Sequence, residues 1–420
     1  FKPIVLGHKM MFINKLFKTT KMKKHILYFL MLLPAIFIAS GCQKYETGNP
    51  PASTVANFTY SASNSGKAPC DVTFTNTSLN AAGYLWDFGN GQTSTEANPV
   101  VHYDTYGQYT VTLTCTAVND VYYNQLVKKQ TITIKDPNAG LTQVLYFTTR
   151  GIPDGGVHFV VLNGEAPVVQ DFASIPWSRP YGIAADTANG KVYVSDYTLN
   201  VIYRFNADGT NPVKILDATV PGQELCNTPE ALMIVGDKLY WGSPGGIFRC
   251  DLDGKNPEAY ISGLEFPLDM QYDPKSGLIF MVNEYAPDDG HNGGYFTMNL
   301  DGSNLKKPIA DVDGTAIEVN TETGKVYIAA YNDFGPTMPD LAIYSCNYDG
   351  TGVSKIGDCG TKATWGIAID NKRGKVFWGV KNHNTTANGK IVRANLDGTG
   401  QEDWITSVNP NAMQAVWIKL

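Results

Sequence analysis

Catalysis needs acids, bases, nucleophiles or metal ligands at short range, so these residue types are the first to weigh. The chain has 420 residues and six scattered His, and it shows no Ser-His-Asp order, paired-carboxylate motif or phosphate-binding loop. A looser set stands out in the C-terminal two thirds: Trp177, Tyr181, Glu230, Asn283, Glu284, Asn332, Trp365 and His383. Two Trp and a Tyr near amide and carboxylate groups form a surface on which a sugar ring stacks or a peptide lies. The competing reading is that these rings only pack loops.

A repeat must position them. Ile247–Gly254 reads IFRCDLDG, Tyr295–Gly302 YFTMNLDG, Ile343–Gly350 IYSCNYDG, and RANLDG spans Arg393–Gly398. The N-G or D-G turns end at Gly164, Gly209, Gly254, Gly302, Gly350 and Gly398, at intervals of 45 or 48 residues. Such periods mean blades or solenoid units. Each unit holds a buried strand (PYGIAAD, GTAIEVN, TWGIAID), a strand after a G-K or G-L turn (KVYVSD, KLYWGS, KVFWGV), and the strand entering the D-G turn. A last strand such as NPVKIL makes four, the content of a propeller blade. QVLYFTTR and VHFVVLNG open with second and third strands, while NPNAMQAVWIKL at the other end has the form of a first strand. Joining them completes a sixth blade. The expected fold is all-β: an Ig-like β-sandwich followed by a six-bladed β-propeller closed by a C-terminal strand. The six first strands open with Tyr181, Glu230, Leu268, Thr315, Trp365 and Asn411. The loops joining second to third strands vary most on that same end, where function concentrates.

The phrases KLYWGS and RANLDG resemble the YWTD repeat of lipoprotein-receptor propellers, and more loosely the NHL repeat. Only VYVSD, Val192–Asp196, keeps that family's Asp. Six-bladed relatives of lactonase type hold a divalent ion on the axis with Glu, Asn and Asp. That resemblance makes Glu230, Asn283, Glu284 and Asn332 the axis-facing candidates. A lactonase-like or lyase-like enzyme with a divalent metal is therefore the alternative to a binding module. A structural envelope protein is a second alternative. Otherwise no cofactor is expected.

Residues 52–137 alternate on a period of two, as in VTFTN, YTVTLTCTA and TITIK, and indicate a small sandwich. YLWDFGNGQTSTEANPVVHYDTYGQYTVTLT, Tyr84–Thr114, resembles the PKD (polycystic kidney disease) domain, with Asn90 where the family usually has Asp. The resemblance implies a spacer or adhesive module. Residues 141–420 are left for the propeller.

Ahead of both, Lys21, Lys23 and Lys24 precede a thirteen-residue uncharged run, Ile26–Ile38, too short to span a bilayer. Ala39-Ser40-Gly41-Cys42 follows and resembles the lipobox of bacterial lipoproteins, which implies lipidation of Cys42. Residues 22–41 are expected to be a signal peptide, 42–51 a flexible tether, and 1–21 an over-extended reading frame. Residues 1–24 carry seven Lys and no acid, so the formal charge of −6 hides −13 on the rest. An acidic chain lacks the electrostatic footprint for nucleic acid. Its expected partners are a membrane, through the lipid anchor, and a periplasmic or extracellular glycan or protein. The expected location is the cell envelope, at the outer membrane. Six further Cys, at 70, 115, 226, 250, 346 and 359, are read either as disulfides or as small buried strand residues.

Overall fold

The computed structural model describes residues 51–420 except 122, 150–154, 165, 174, 287–290, 332–336, 339, 360–362 and 382–388. For 284–286, 291, 292, 363 and 364 only the backbone is described. Two compact units part between Pro137 and Asn138. Among the described residues, regular structure is strands and single turns of 3-10 helix, and no helix is long and apolar enough to cross a membrane.

The first unit is a sandwich of a three-stranded and a four-stranded antiparallel sheet. The alternating pattern buries one face of each. Trp86 lies fully buried between them, with Phe58, Phe74 and Phe88 ring centroids 5.1–5.9 Å away. Its indole N–H donates to the Glu96 carbonyl at 2.9 Å, so the large ring leaves no polar atom unpaired. Tyr109 pins the corner: its hydroxyl donates to the Thr105 carbonyl at 2.8 Å.

The second unit is six four-stranded antiparallel sheets. Their inner strands are Pro180–Asp186, Leu232–Val235, Pro267–Asp273, Gly314–Asn320, Ala363–Asp370 and Pro410–Ile418. Each inner strand touches the next, and Pro410–Ile418 touches Pro180–Asp186, so the contacts run in a ring. Pro410–Ile418 pairs with Thr142–Thr149, placing Ile418 opposite Thr142 and Pro410 opposite Thr149. The blade that opens the ring, here the first, therefore takes its inner strand from the far end of the chain. The other five follow in chain order.

The repeated turn has a double duty. Within a blade, the Asp of D-G accepts from the backbone and hydroxyl of the residue two positions on: Asp208 from Thr210, Asp301 from Ser303, Asp349 from Thr351, Asp397 from Thr399. These bonds hold the Asp208, Asp301, Asp349 and Asp397 carboxyls below the usual carboxylate range. Between blades, the residue before that Asp offers its carbonyl to a tyrosine of the preceding blade. Tyr146 donates to Ala207 at 2.6 Å, Tyr193 to Leu252 at 3.0 Å, Tyr260 to Leu300 at 2.7 Å, Tyr295 to Tyr348 at 2.8 Å and Tyr327 to Leu396 at 3.0 Å. The turn Gly is compelled as well: Gly209 has φ +83°, and a Cβ there would stand 1.5 Å from the carbonyl oxygen of Phe172, just after the first blade's last strand, Gln170–Asp171. At the sixth-to-first junction a polar knot replaces the tyrosine. Gln143 donates to Asp370 at 2.8 Å, and Arg373 binds Asp370 at 2.9 Å and Gln143 at 2.5 Å.

All six described Cys are free, and five are buried. Cys250 and Cys346 sit in the third strands of their blades, where burial pushes each thiol up to about 12. The disulfide alternative is thus not realised.

Deleting residues 411–420 strips the inner strand from the first blade and opens the ring. The expected outcome is loss of the cooperative melt of the propeller in calorimetry. Tyr327→Phe removes one latch and should cost only about 1 kcal/mol in urea unfolding.

Candidate functional site

The upper ends of the inner strands meet around a narrow central channel of about 120 Å³. Tyr181 and Trp365 line it, from blades on either side of the first, and their rings meet edge to face at 6.4 Å. Tyr197 lies 6.3 Å from Tyr181, and Tyr331 lies 5.6 Å from Trp365. Tyr181 and Trp365 are buried, whereas Tyr197 and Tyr331 are half-buried. Two cations flank the rings. The Arg179 guanidinium sits 4.3 Å over Tyr197 and 5.6 Å from Tyr181, and the buried Lys381 ammonium sits 4.0 Å over Trp365 while donating to Asn411 Oδ1.

The backbone beneath this cluster is tightly held. Asp196, fully buried at the end of its strand, accepts from the backbone N–H groups of Ser178, Arg179, Thr198 and Leu199 at 2.8–3.1 Å. Ser195 Oγ accepts from Gly182 N–H at 2.8 Å and donates to the Glu230 carbonyl at 3.1 Å, tying two inner strands together. Thr148 Oγ1 donates to the Tyr181 carbonyl at 2.9 Å, and Asn411 Nδ2 donates to the Pro180 carbonyl at 3.0 Å. The first blade thus fixes the strand that carries Tyr181.

Of the residues singled out in the sequence, the structure brings Tyr181 and Trp365 together at the mouth. Trp177 goes elsewhere: its ring packs on Tyr203 and Phe205, 5.6 and 5.9 Å away, in the core shared by the first and second blades. Glu230, two residues before the strand Leu232–Val235, and Asn283, within Leu278–Ala286, are both buried, and Asn283 Oδ1 has no hydrogen-bond partner among the described residues. Asn332 and His383 lie outside the described residues, as does the side chain of Glu284. Among the described residues no group of three or more His, Cys, Asp or Glu is placed to hold a metal ion.

Deeper in the channel is a pair of carboxyls that the sequence reading passed over. Asp269 and Gln271 lie on one inner strand, and Glu318 lies on the next. Asp269 accepts from Met270 N–H at 2.9 Å and from Ile317 N–H of the next blade at 3.0 Å; Gln271 accepts from Val319 N–H and donates to Glu318. These side chains satisfy strand-edge N–H groups that face the channel and would otherwise depend on water. All three residues are half-buried, and Asp269 and Gln271 line the channel. Burial, only partly offset by the two N–H donors, pushes Asp269 up to about 7. Burial, reinforced by the nearby Asp269 and opposed by Gln271, pushes Glu318 up to about 8. The pair can store protons and lock two blades together. The visible signal was the polarity of PLDMQYD and GTAIEVN where TWGIAID is apolar.

Comparisons with known proteins agree with this division. Residues 49–134 match the family model of the PKD domain. The pre-pro-metalloprotease PrtV of Vibrio cholerae serotype O1 (strain ATCC 39315 / El Tor Inaba N16961) is 52% identical over 60 residues, 14% of this chain and 6% of that protein. Collagenase ColQ1 of Bacillus cereus (strain Q1) is 47% identical over 53 residues, 13% of this chain and 5% of that protein. The match thus spans about one twentieth of the length of these curated relatives. Among solved structures, a chain of the nidogen/laminin complex superposes with a TM-score of 0.52 at 16% identity, covering 65% of this chain and 98% of that one. A putative TolB from Agrobacterium tumefaciens gives 0.46 at 12%, covering 67% and 99%. The protein is a PKD domain followed by a β-propeller.

The channel carboxyls set a pH dependence. Their folded-state values lie above the ordinary carboxylate range, so the folded protein holds more protons than the unfolded chain between pH 4 and 8. Their contribution to stability is complete below about pH 4 and declines as pH rises through 7–8. The melting temperature of the propeller should fall by roughly 5 °C or more from pH 5 to 9. Glu318→Gln, which keeps the Gln271 hydrogen bond, should flatten that slope in a pH series of thermal melts.

Proposed function

We propose that the protein is an extracytoplasmic binding lipoprotein whose propeller mouth takes a glycan, with the PKD domain as its spacer. The observation that carries the binding claim is the convergence of four aromatic rings, Tyr181, Tyr197, Tyr331 and Trp365, from three blades at one end of the channel. Half-buried ring faces beside hydrogen-bonding groups suit the alternating apolar and hydroxyl faces of a sugar. The four rings form a cluster of their own, apart from the cores packed between neighbouring blades.

The anchor rests on Ala39-Ser40-Gly41-Cys42, which lies outside the described residues. Several acyl chains on Cys42, each CH₂ worth about 0.8 kcal/mol when buried, would hold the two units at a membrane surface. The envelope location follows from that anchor, and the outer membrane is the surface proposed.

Two measurements test the reading. Cys42→Ala should move the protein from the detergent phase to the soluble fraction; continued membrane retention refutes the anchor. A glycan array probed with the soluble variant should give carbohydrate ligands. On those ligands Tyr197→Ala and Tyr331→Ala should each weaken binding about tenfold, the effect of losing one buried ring face. Asp397→Ala, in the turn at the opposite end of the sixth blade, should leave affinity unchanged. If the folded Tyr197 and Tyr331 variants bind like wild type, the mouth is not the site.

A further inference from the structure

We propose that the mouth selects an acidic glycan, with Arg179 pairing the carboxylate of a uronic acid ring laid against Tyr197 and Tyr331. This inference rests on the reading of the mouth as a glycan site and adds the chemical class of the sugar.

The argument starts from what Arg179 does not do. Its backbone is clamped twice: its N–H donates to both oxygens of Asp196, at 3.1 and 3.0 Å, and its carbonyl accepts from Tyr197 N–H at 3.0 Å. Its side chain, by contrast, makes no hydrogen bond and no ion pair among the described residues, and Nε is buried without a partner there. The carboxylate that clamps its backbone is not its counter-ion, because the Asp196 oxygens accept from four backbone N–H groups. A guanidinium carries five donors in a rigid planar fork, and a buried N–H left without an acceptor is costly. Elsewhere in this propeller the half-buried arginines spend that fork: Arg249 on Glu258 at 2.6 Å, Arg393 on Glu402 at 2.5 Å and Arg373 on Asp370 at 2.9 Å. Arg179 alone among these four is held in place by its backbone with its fork unused.

The ring beneath it narrows the ligand. A carboxylate binds the guanidinium fork in its own plane, so the pair can lie flat over Tyr197, and a sugar ring bearing that carboxylate comes to rest on the neighbouring aromatic faces. A tetrahedral sulfate projects oxygens out of that plane. Lys381 offers no second site for such a group: it is buried over Trp365 and its ammonium already donates to Asn411 Oδ1, so Arg179 is the cation that the proposal uses. The chain as a whole is acidic, with a formal charge of −6. Its long-range field therefore does not attract such a glycan, and selection must come from contact, inside a screening length of about 8 Å at physiological salt.

The test is calorimetric titration of the purified protein with oligogalacturonate, oligoguluronate and oligoglucuronate, each as the free acid and as the methyl ester. At least one free acid should bind, and its ester, identical but for the charge, should bind at least tenfold more weakly. Arg179→Gln should lower affinity for the acid at least tenfold and leave the ester unchanged; Arg179→Lys, which keeps charge without the fork, should fall between. Thermal melts establish that both variants are folded, and acid against ester on the wild type decides the matter if they are not. Equal affinity for acid and ester, or an Arg179→Gln protein that binds the acid as wild type does, overturns the carboxylate assignment while leaving the glycan site standing. So does a preference for a sulfated glycan or a polyglutamate peptide run in parallel. No binding of any uronate also overturns it, and neutral ligands on the glycan array then show whether the glycan reading itself survives.

Discussion

Everything in the propeller depends on blades that cannot slide past one another, and a tyrosine hydroxyl on the next blade's turn carbonyl enforces this. Hydrophobic faces alone would press the sheets together without choosing a register, because apolar contact has no direction. The five hydroxyl-to-carbonyl bonds give that contact a direction. They also explain a repeat that would otherwise look redundant. The D-G turn must expose one carbonyl toward the previous blade, and its Gly must pass close to a neighbouring strand where a Cβ has no room. The repeated letters are therefore an interface.

That interface is why the fold could be read from the chain and most of the site could not. Turns, paired strands and the detached first strand are local or periodic, so they leave a pattern. PYGIAAD, KVYVSD and NADGT each announce their place in a blade without reference to the rest. The mouth is assembled from strand ends of the second, fifth and sixth blades, and no spacing in the sequence links Arg179 to Tyr331 or Lys381. Trp177 shows the reverse error. Its neighbours IPWSRPY suggested an exposed ring beside Tyr181, but a residue four positions earlier on an incoming loop faces the blade core, where Tyr203 and Phe205 leave a slot for it. The Cys pattern was ambiguous for a physical reason: a small residue buried in a strand and a half-cystine look alike until a partner is placed beside it.

The site and the scaffold meet in Asp196. It is the one acidic residue left where the repeat of similar propellers carries Asp, and here it does not face a ligand. It gathers four backbone N–H groups and thereby presents the next side chains outward. The half-buried Asp269–Gln271–Glu318 group does comparable work lower in the channel, joining two inner strands through side chains where no backbone pairing exists. In both places a polar side chain does the work of a strand partner, which leaves the mouth rigid while its donors stay available.

The first blade pairs Thr142 with Ile418, and that long span governs time as much as shape. Contacts separated by most of a domain's length close slowly, because the chain must lose its loop entropy before the pairing rewards it. The ring cannot shut until the strand Pro410–Ile418 has been made, so a nascent chain stays open until its last residues are in place. The same seam is then the last to form and is absent from an early transition state. Interactions of that kind slow unfolding more than they speed folding. The feature that delays assembly should thus lengthen the working life of the folded protein.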